Sequence, residues 1–236
     1  MPVVSTPAPV PAAVLWDMDG TLVDTEPYWM VAEHELIAEW GGVWTHEDGL
    51  QLVGQGLWSS ALVFQSRGVD LEPQQIIDLL TDRVLTQLAD HVPWRPGARE
   101  LLAQLRAEGV PTALVTMSIR RMADAIIATL EGELGARAFD VIVAGDEVEH
   151  PKPYPDAYLR AAELLAVPID DCVAIEDSEP GVAAAVASGA TTFAVPFHVP
   201  LPASPAYVLL ERGLVGVDLA RLATEHTARA AAEAAR

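Results

Sequence analysis

The segment Ala13–Thr21 reads AVLWDMDGT, four apolar residues followed by two aspartates that a methionine separates. An apolar run without polar alternation is typical of a strand that is buried on both faces of a parallel sheet. Ligands of open α/β sheets bind just beyond the carboxyl ends of such strands. The segment therefore predicts a strand Val14–Asp17 whose tip presents Asp17 and Asp19. A turn that only closes the strand is the alternative interpretation.

The two aspartates could divide the steps of a phosphoryl transfer between them. An aspartate at a strand tip can attack a phosphoryl group as a covalent nucleophile. Side chains of a strand return to the same side every two residues, so Asp19 would lie on the side of Asp17. From there its carboxyl group could give a proton to the leaving group.

Strand and helix patterns alternate along most of the 236 residues. Alternation with apolar strands predicts an α/β fold, a doubly wound parallel sheet with helices on both faces. The other predicted strands are Thr112–Thr116, Asp140–Ala144, Cys172–Glu176, Thr191–Val195 and a weaker Tyr207–Leu210, and the predicted helices between them are Ala98–Glu108, Arg120–Glu131, Pro155–Leu165 and Pro180–Ser188.

Residues 25–92 break this alternation, because they hold helical patterns and no convincing strand. We predict a flexible tail at 1–12, a core at 13–24 and 93–236, and an inserted α-helical cap at 25–92. A helical arm that belongs to the core is the alternative for the insert. The patterned helices are Tyr28–Trp40, Trp58–Arg67 and Gln74–Ala89 in the cap, with Thr25 and Pro27 as a helix start, and Leu219–Arg236 at the end of the chain.

Composition excludes several classes of function. With 34 acidic and 14 basic residues, the net charge is −20, which disfavours nucleic acid as a partner. The single cysteine, Cys172, excludes an intrachain disulfide and a cysteine-based metal site. No apolar stretch has membrane-spanning length, and the tail lacks the features of a signal peptide. We expect a cytoplasmic monomer.

Two further strand ends carry groups that bind anions. The strand Thr112–Thr116 runs into Met117 and Ser118, where hydroxyls and backbone amides could hold an anion, although hydroxyls there often only cap the next helix. Lys152 lies between two prolines. A fixed ammonium there would stabilise the charge of a phosphoryl transition state, and an ordinary exposed lysine is the alternative.

The strand Cys172–Glu176 ends in two adjacent carboxylates, Glu176 and Asp177. Adjacent carboxylates repel one another unless a cation or solvent separates them. Oxygen ligands of this kind suit Mg²⁺, whereas helix capping by Asp177 or Ser178 is the alternative. The order of the motifs along successive strand ends is a stronger signal than any one of them.

This order of motifs resembles the haloacid dehalogenase superfamily of phosphotransferases. Its four motifs are matched by DMDGT at 17–21, Thr116 within VTMS at 115–118, Lys152 within KPYPDAY at 152–158, and EDSEPG at 176–181. The resemblance covers about residues 13–196. It implies a Rossmann-like core, and it places the insert where the family's helical, type C1, cap lies.

The resemblance also implies a role for each motif residue. Asp17 would attack phosphorus and form an aspartyl-phosphate. Asp19 would protonate the leaving oxygen and then activate the hydrolytic water. The implied phosphate ligands are Thr116, Met117, Ser118 and Lys152, and the implied Mg²⁺ ligands are Asp17, the Asp19 carbonyl, Asp177 and, directly or through water, Glu176.

Particular residues narrow the reaction within the superfamily. Its dehalogenases lack the acid/base aspartate that Asp19 matches, and its phosphonate-cleaving members need a cap lysine, which residues 25–92 do not contain. The branch that contains β-phosphoglucomutase is the most similar. Its mutases carry a histidine and a cap arginine where this chain has Trp29 and Leu57, so we favour the sugar-phosphate phosphatases of that branch. Arg67 is another candidate for a cap cation, although an exposed arginine at a helix end is the simpler interpretation.

The sequence thus predicts a Mg²⁺-dependent phosphatase of a small phosphorylated metabolite, with a sugar phosphate favoured. The alternatives are a β-phosphoglucomutase-type mutase and a phosphatase of phosphoglycolate or another small metabolite. A non-enzymatic scaffold is disfavoured because every motif residue is present. Trp29, Trp44 and Trp58 lie in the cap, where core packing is the expected role of each and stacking on a sugar ring the alternative.

Overall fold

The computed structural model describes residues 10–89 and 91–234. Most of the predicted tail and the last two residues of the predicted final helix therefore lie outside the described residues. Within the described part of the chain, no helix is both long and apolar enough to cross a membrane.

Six parallel strands form one sheet in the order β3-β2-β1-β4-β5-β6. The chain leaves β1 towards β2 on one side and later returns to β4 on the other side, as the predicted doubly wound fold requires. The first strand ends at Trp16, so Asp17 lies just beyond it rather than inside it. The strands are β1 (Ala13–Trp16), β2 (Thr112–Val115), β3 (Val141–Val143), β4 (Cys172–Glu176), β5 (Thr191–Ala194) and β6 (Val208–Leu209).

The central strand β1 is buried on both faces, which explains its unbroken apolar run. Val14 and Trp16 belong to the larger apolar core, whereas Leu15 belongs to a second core on the opposite face. Cys172 and Val115 lie in that second core too. Because side chains alternate, Asp17 and Glu176 continue on the Leu15 side of the sheet.

Helices cover both faces of the sheet, close to their predicted positions. Their predicted starts and ends either coincide with the observed ones or differ by at most three residues, since residues that cap a helix resemble residues inside it. The helix that follows Lys152 begins at Asp156, after the proline-rich loop. These helices are α5 (Ala98–Ala107), α6 (Arg120–Leu134), α7 (Asp156–Leu165), α8 (Glu179–Ser188) and α9 (Leu219–Ala234).

Residues 25–92, which we call the cap segment, contain helices and no strand among their described residues. One short helix was not predicted, because it has five residues with a glycine among them. Its N-cap is Thr45, whose side chain accepts from the Asp48 amide while the Asp48 side chain accepts from the Thr45 amide. The cap helices are α1 (Glu26–Glu39), α2 (His46–Leu50), α3 (Leu57–Ser66) and α4 (Pro73–Leu88).

Candidate active site

Asp17 meets Lys152 and Glu176 at the carboxyl ends of the central strands. Lys152 Nζ lies 2.7 Å from Asp17 Oδ1, 2.5 Å from Glu176 Oε1 and 2.9 Å from the Val115 carbonyl oxygen. Lys152 is 3% exposed, so the alternative of an exposed loop lysine is wrong. The ammonium thus joins the ends of β1, β2 and β4.

Burial and charge act against each other within this group. Burial first, and then the Glu176 carboxylate, raise the pKa of Asp17 to about 7, although Lys152 counteracts both. Burial alone would lower the pKa of Lys152, but Asp17 and Glu176 outweigh it and raise that pKa. The lysine therefore stays charged, and it holds Asp17 in one position.

Asp177 completes a buried acidic cluster. One oxygen each of Asp17, Glu176 and Asp177 lies within 4.8 Å of the others. Thr21 Oγ1 donates to Asp177 Oδ1 at 3.2 Å, whereas the buried Oδ2 has no hydrogen-bond partner in the described part of the chain. Burial, followed by Asp17 and Glu176, raises the pKa of Asp177 well above its usual range.

Two glycines allow the backbone to approach these carboxylates closely. A Cβ atom on Gly20 would lie 2.2 Å from Asp177 Oδ2, and one on Gly181 would lie 2.0 Å from Glu176 Oε2. Gly20 also has a positive φ of 81°, which other residues adopt only at a cost. The glycines of the first and fourth motifs therefore have a steric role.

Asp19 lies across the same cavity in a different environment. Its Oδ2 accepts from Ser118 Oγ at 2.8 Å and from Thr116 Oγ1 at 3.2 Å. Its Oδ1 accepts from Thr25 Oγ1 at 2.5 Å and from Trp29 Nε1 at 3.4 Å. Both hydroxyls predicted to hold an anion are thus turned towards Asp19. The Ser118 amide donates to Thr116 Oγ1.

A cavity separates the strand ends from the cap segment. Its core wall, which we call the core end, contains five of the predicted site residues. Its opposite wall, the cap end, comes from all four cap helices and the loop before α3. The core end is formed by Asp17, Asp19, Met117, Ser118 and Lys152, and the cap end by Glu26, Trp29, Glu33, Gly49, Leu52, Gly54, Gln55, Leu57, Ser60, Phe64, Ile77 and Leu80.

The three cap tryptophans have different positions. Trp29 faces the cavity. Trp44 packs against Phe64 and donates to Glu33 Oε2 at 3.0 Å, so its predicted packing role is confirmed. Trp58 is 53% exposed, and core packing was the wrong prediction for it.

Neither Leu57 nor Arg67 supplies a cation to the cap end of the cavity. Leu57 lines the cavity. It stands at the position where the resemblance to the β-phosphoglucomutase branch implied an arginine in the mutases. Arg67 instead pairs with Asp48 at 2.6 Å, and its side chain is 44% exposed. It does not line this cavity, so the simpler interpretation of Arg67 is confirmed.

Four residues of the site were missed from the sequence. Thr25 occupies the predicted N-cap position, but its hydroxyl donates to Asp19 and not to the helix. The Tyr158 hydroxyl donates to Glu176 Oε1 at 2.6 Å. Arg95 donates to the carbonyl oxygen of Gly20, a residue of the first motif. Glu26 lines the cavity. Their roles depend on tertiary contacts or on the path of the chain around the cavity, which the local sequence does not show.

Comparison with known proteins agrees with this geometry. Residues 11–189 match the family described as haloacid dehalogenase-like hydrolase. Protein CbbY of Rhodobacter capsulatus is 36% identical over 185 residues, which are 75% of this chain and 82% of that protein. Fructose-1-phosphate phosphatase YqaB of Escherichia coli strain K12 is 33% identical over 180 residues, which are 75% of this chain and 93% of that protein.

A solved structure extends the similarity to three dimensions. It shows mutant CbbY from Rhodobacter sphaeroides in complex with xylulose-1,5-bisphosphate, and it is 29% identical to this chain with a TM-score of 0.74. The match covers 88% of this chain and 99% of that one. The similarity therefore extends over most of the chain.

Proposed function

The chain belongs to the haloacid dehalogenase-like hydrolase family, and we propose that it is a Mg²⁺-dependent phosphatase of a small phosphomonoester, with a sugar phosphate as the favoured substrate. One observation carries this proposal. Asp17 and Asp19 line one cavity, yet an ammonium holds the first and hydroxyls surround the second. Two carboxyl groups in different environments can perform different steps of one reaction.

In the first step, a carboxylate oxygen of Asp17 would attack phosphorus. The bond between phosphorus and the leaving oxygen would break, and Asp19 would give that oxygen its proton. In the second step, a water molecule would lose a proton to Asp19 and attack phosphorus. The bond to Asp17 would then break, which releases inorganic phosphate and restores both aspartates.

Lys152 would orient the nucleophile during both steps. Its ammonium contacts Asp17 and Glu176, and the Tyr158 hydroxyl donates to the same Glu176 oxygen, Oε1. We propose that Lys152, Thr116, Met117 and Ser118 also bind the phosphoryl oxygens. A cation that is already in position stabilises developing negative charge without reorganisation.

Asp17, Glu176 and Asp177 fit a hard divalent cation. Asp17 and Glu176 share one ammonium, and Asp177 Oδ2 is a buried acceptor without a donor among the described residues. Such an atom costs free energy unless a ligand satisfies it. Asp17 and Asp177, the Asp19 carbonyl and Glu176 would hold Mg²⁺, whose charge would offset that of the phosphoryl group.

A phosphatase is favoured over a mutase by the composition of the cap end. A mutase must bind a second phosphate there, and bidentate recognition of phosphate needs an arginine or a comparable cation. Among the described residues, the cap end has neither arginine nor lysine. The relative named fructose-1-phosphate phosphatase YqaB supports the same choice. We also propose a cytoplasmic monomer; the free, buried cysteine fits a reducing compartment.

Release of inorganic phosphate from p-nitrophenyl phosphate and from a panel of sugar phosphates tests the proposal. We expect turnover with Mg²⁺ and none after chelation. Asp17→Asn should lower kcat/KM by about a thousandfold or more, because it removes the nucleophile. Asp70→Asn, an exposed change of the same kind, should have no effect. Full activity of Asp17→Asn, or isomerisation without phosphate release, would contradict the proposal.

A further inference from the structure

Glu26, the first residue of α1, is a buried carboxyl group that faces the cavity. It is 7% exposed, it lines the cavity beside Asp19 and Trp29, and it makes no side-chain hydrogen bond to another described residue. Neither of its oxygens is a fully enclosed atom without a partner among the described residues, so both keep some accessible surface. The proposed reaction does not use this group.

The surroundings of Glu26 make its burial costly. Burial first, and then the negative charges of Asp19, Glu33, Asp24 and Asp17, raise the pKa of Glu26 to about 8. A buried polar group without a partner lowers the stability of the folded chain. A glutamine of the same shape would avoid the cost of ionising a buried group. The chain therefore holds a destabilising carboxyl group at a position where a ligand could form a hydrogen bond with it.

The rest of the cap end combines acidic and neutral polar residues with apolar ones. Glu33 is buried and accepts a hydrogen bond from Trp44, and burial raises its pKa to about 7. Gln55 and Ser60 add neutral polar groups to the wall. Because the described cap end has no cation, a second anionic group on a substrate would meet only carboxyl groups, amides, hydroxyls and hydrocarbon.

From this arrangement we propose that Glu26 binds a hydroxyl of the leaving group, and that Glu26 and Glu33 together restrict the substrate to phosphates of neutral polyhydroxy compounds. This inference rests on the proposed phosphatase function. A hydroxyl both donates and accepts, so it pairs with a carboxyl group in either protonation state. Above pH 8, where both glutamates are ionised because their pKa values are about 8 and about 7, a second phosphate or a carboxylate would be desolvated against like charge, which excludes it.

Three matched substrate pairs test the exclusion of a second anion. They are glucose-6-phosphate with 6-phosphogluconate, fructose-1-phosphate with fructose-1,6-bisphosphate, and glycerol phosphate with 3-phosphoglycerate. At pH 9, where Glu26 and Glu33 are ionised, we expect kcat/KM to be at least about tenfold higher for the member of each pair whose leaving group is uncharged, since like-charge contacts on desolvation are costly. Equal values in every pair, or a preference for the anionic members, would overturn the inference.

Variants of Glu26 test the residue itself. Glu26→Ala should lower kcat/KM for the best neutral sugar phosphate by about tenfold relative to p-nitrophenyl phosphate, which has no hydroxyl group to bind, mainly through KM. Glu26→Gln keeps hydrogen bonding but loses the charge. It should retain the sugar preference and narrow the discrimination against anionic partners.

The matched control is Glu35→Gln, the same change in charge at an exposed position of α1. It should leave all substrate ratios unchanged. A purely structural role of Glu26 would lower every rate in parallel, and that result would overturn the inference. If p-nitrophenyl phosphate itself is not hydrolysed with Mg²⁺, the proposed function fails instead, so the two failures are distinguishable.

Discussion

The two ends of the cavity differ in how their charges are satisfied. At the core end, Asp17 and Glu176 share the Lys152 ammonium, and Asp19 accepts from several side-chain donors. At the cap end, Glu33 accepts only from an indole, and Glu26 has no hydrogen-bond partner among the described side chains. Most carboxyl groups at the core end already have protein partners without a ligand, whereas Glu26 at the cap end has none among the described side chains.

This difference separates the groups that carry out the reaction from the groups that recognise the substrate. A site that performs one reaction on many substrates needs fixed reacting groups, and preorganised partners supply that rigidity. A wall that recognises one leaving group must leave polar groups free for it. We therefore assign the reaction to the core end and substrate choice to the cap end. The predictions below test whether the two ends behave independently.

The largest effect is expected from Lys152→Met at the core end. This change leaves Asp17 and Glu176 buried without their cation, which costs about 3–5 kcal/mol of unfolding free energy. Urea unfolding at neutral pH measures it. Arg160→Met, which breaks an exposed pair with Glu163, should cost less than about 1 kcal/mol. Equal losses in the two variants would show that the core end is not held by its buried cation.

The next effect concerns Asp177 and the metal. Mg²⁺ at a hundredfold excess over its Kd should raise the unfolding free energy of the wild type by about 2.7 kcal/mol. Asp177→Asn should lose most of that increase, because it removes a ligand. Asp171→Asn, at the opposite and exposed end of the same strand, should keep it. An undiminished response of Asp177→Asn to Mg²⁺ would place the metal elsewhere.

The pH dependence of stability tests the cap end. The folded pKa of Glu26, about 8, lies above its ordinary value of 4.5, so between these values only the folded chain keeps the proton. Stability should therefore fall as pH rises through this range, by about 1.4 kcal/mol per pH unit for this group. Glu26→Gln should remove that contribution in metal-free buffer, and Glu35→Gln should not. Identical slopes in the wild type and Glu26→Gln would refute the unpaired state of Glu26.

The smallest effect is expected where the two ends meet, at Trp29. Its indole donates to Asp19 Oδ1 over 3.4 Å, which is a long and weak hydrogen bond. Trp29→Phe should lower kcat/KM by about two- to fivefold, as the loss of less than about 1 kcal/mol implies. Trp58→Phe, at an exposed position, is the matched control and should change nothing. A hundredfold loss for Trp29→Phe would mean that the cap segment takes part in the chemistry.

The sequence predicts the core end much better than the cap end, for a physical reason. Asp17, Lys152 and Asp177 follow buried strands, and the ends of parallel strands must meet at one edge of the sheet. Their assembly therefore follows from the strand pattern, and β4 occupies the predicted residues 172–176.

The cap end depends on how helices pack, which a helical pattern alone does not determine. Glu26 looks like an ordinary acidic residue in the first turn of a helix, and nothing local shows that it faces a cavity. Thr25 looks like a helix cap, but its hydroxyl contacts Asp19 instead. The division of the chain into a core and a cap at residues 25–92 stays a prediction.

The central claim is that Asp17 becomes phosphorylated while Asp19 acts as acid and base. With p-nitrophenyl phosphate the leaving group needs no proton, so Asp19→Asn should still form the aspartyl-phosphate but should hydrolyse it slowly. Rapid acid quenching and mass spectrometry of peptides should then find the phosphoryl group on Asp17, with a burst of one nitrophenolate per enzyme molecule. A phosphoryl group on another residue, or the same burst in Asp17→Asn, would contradict the account.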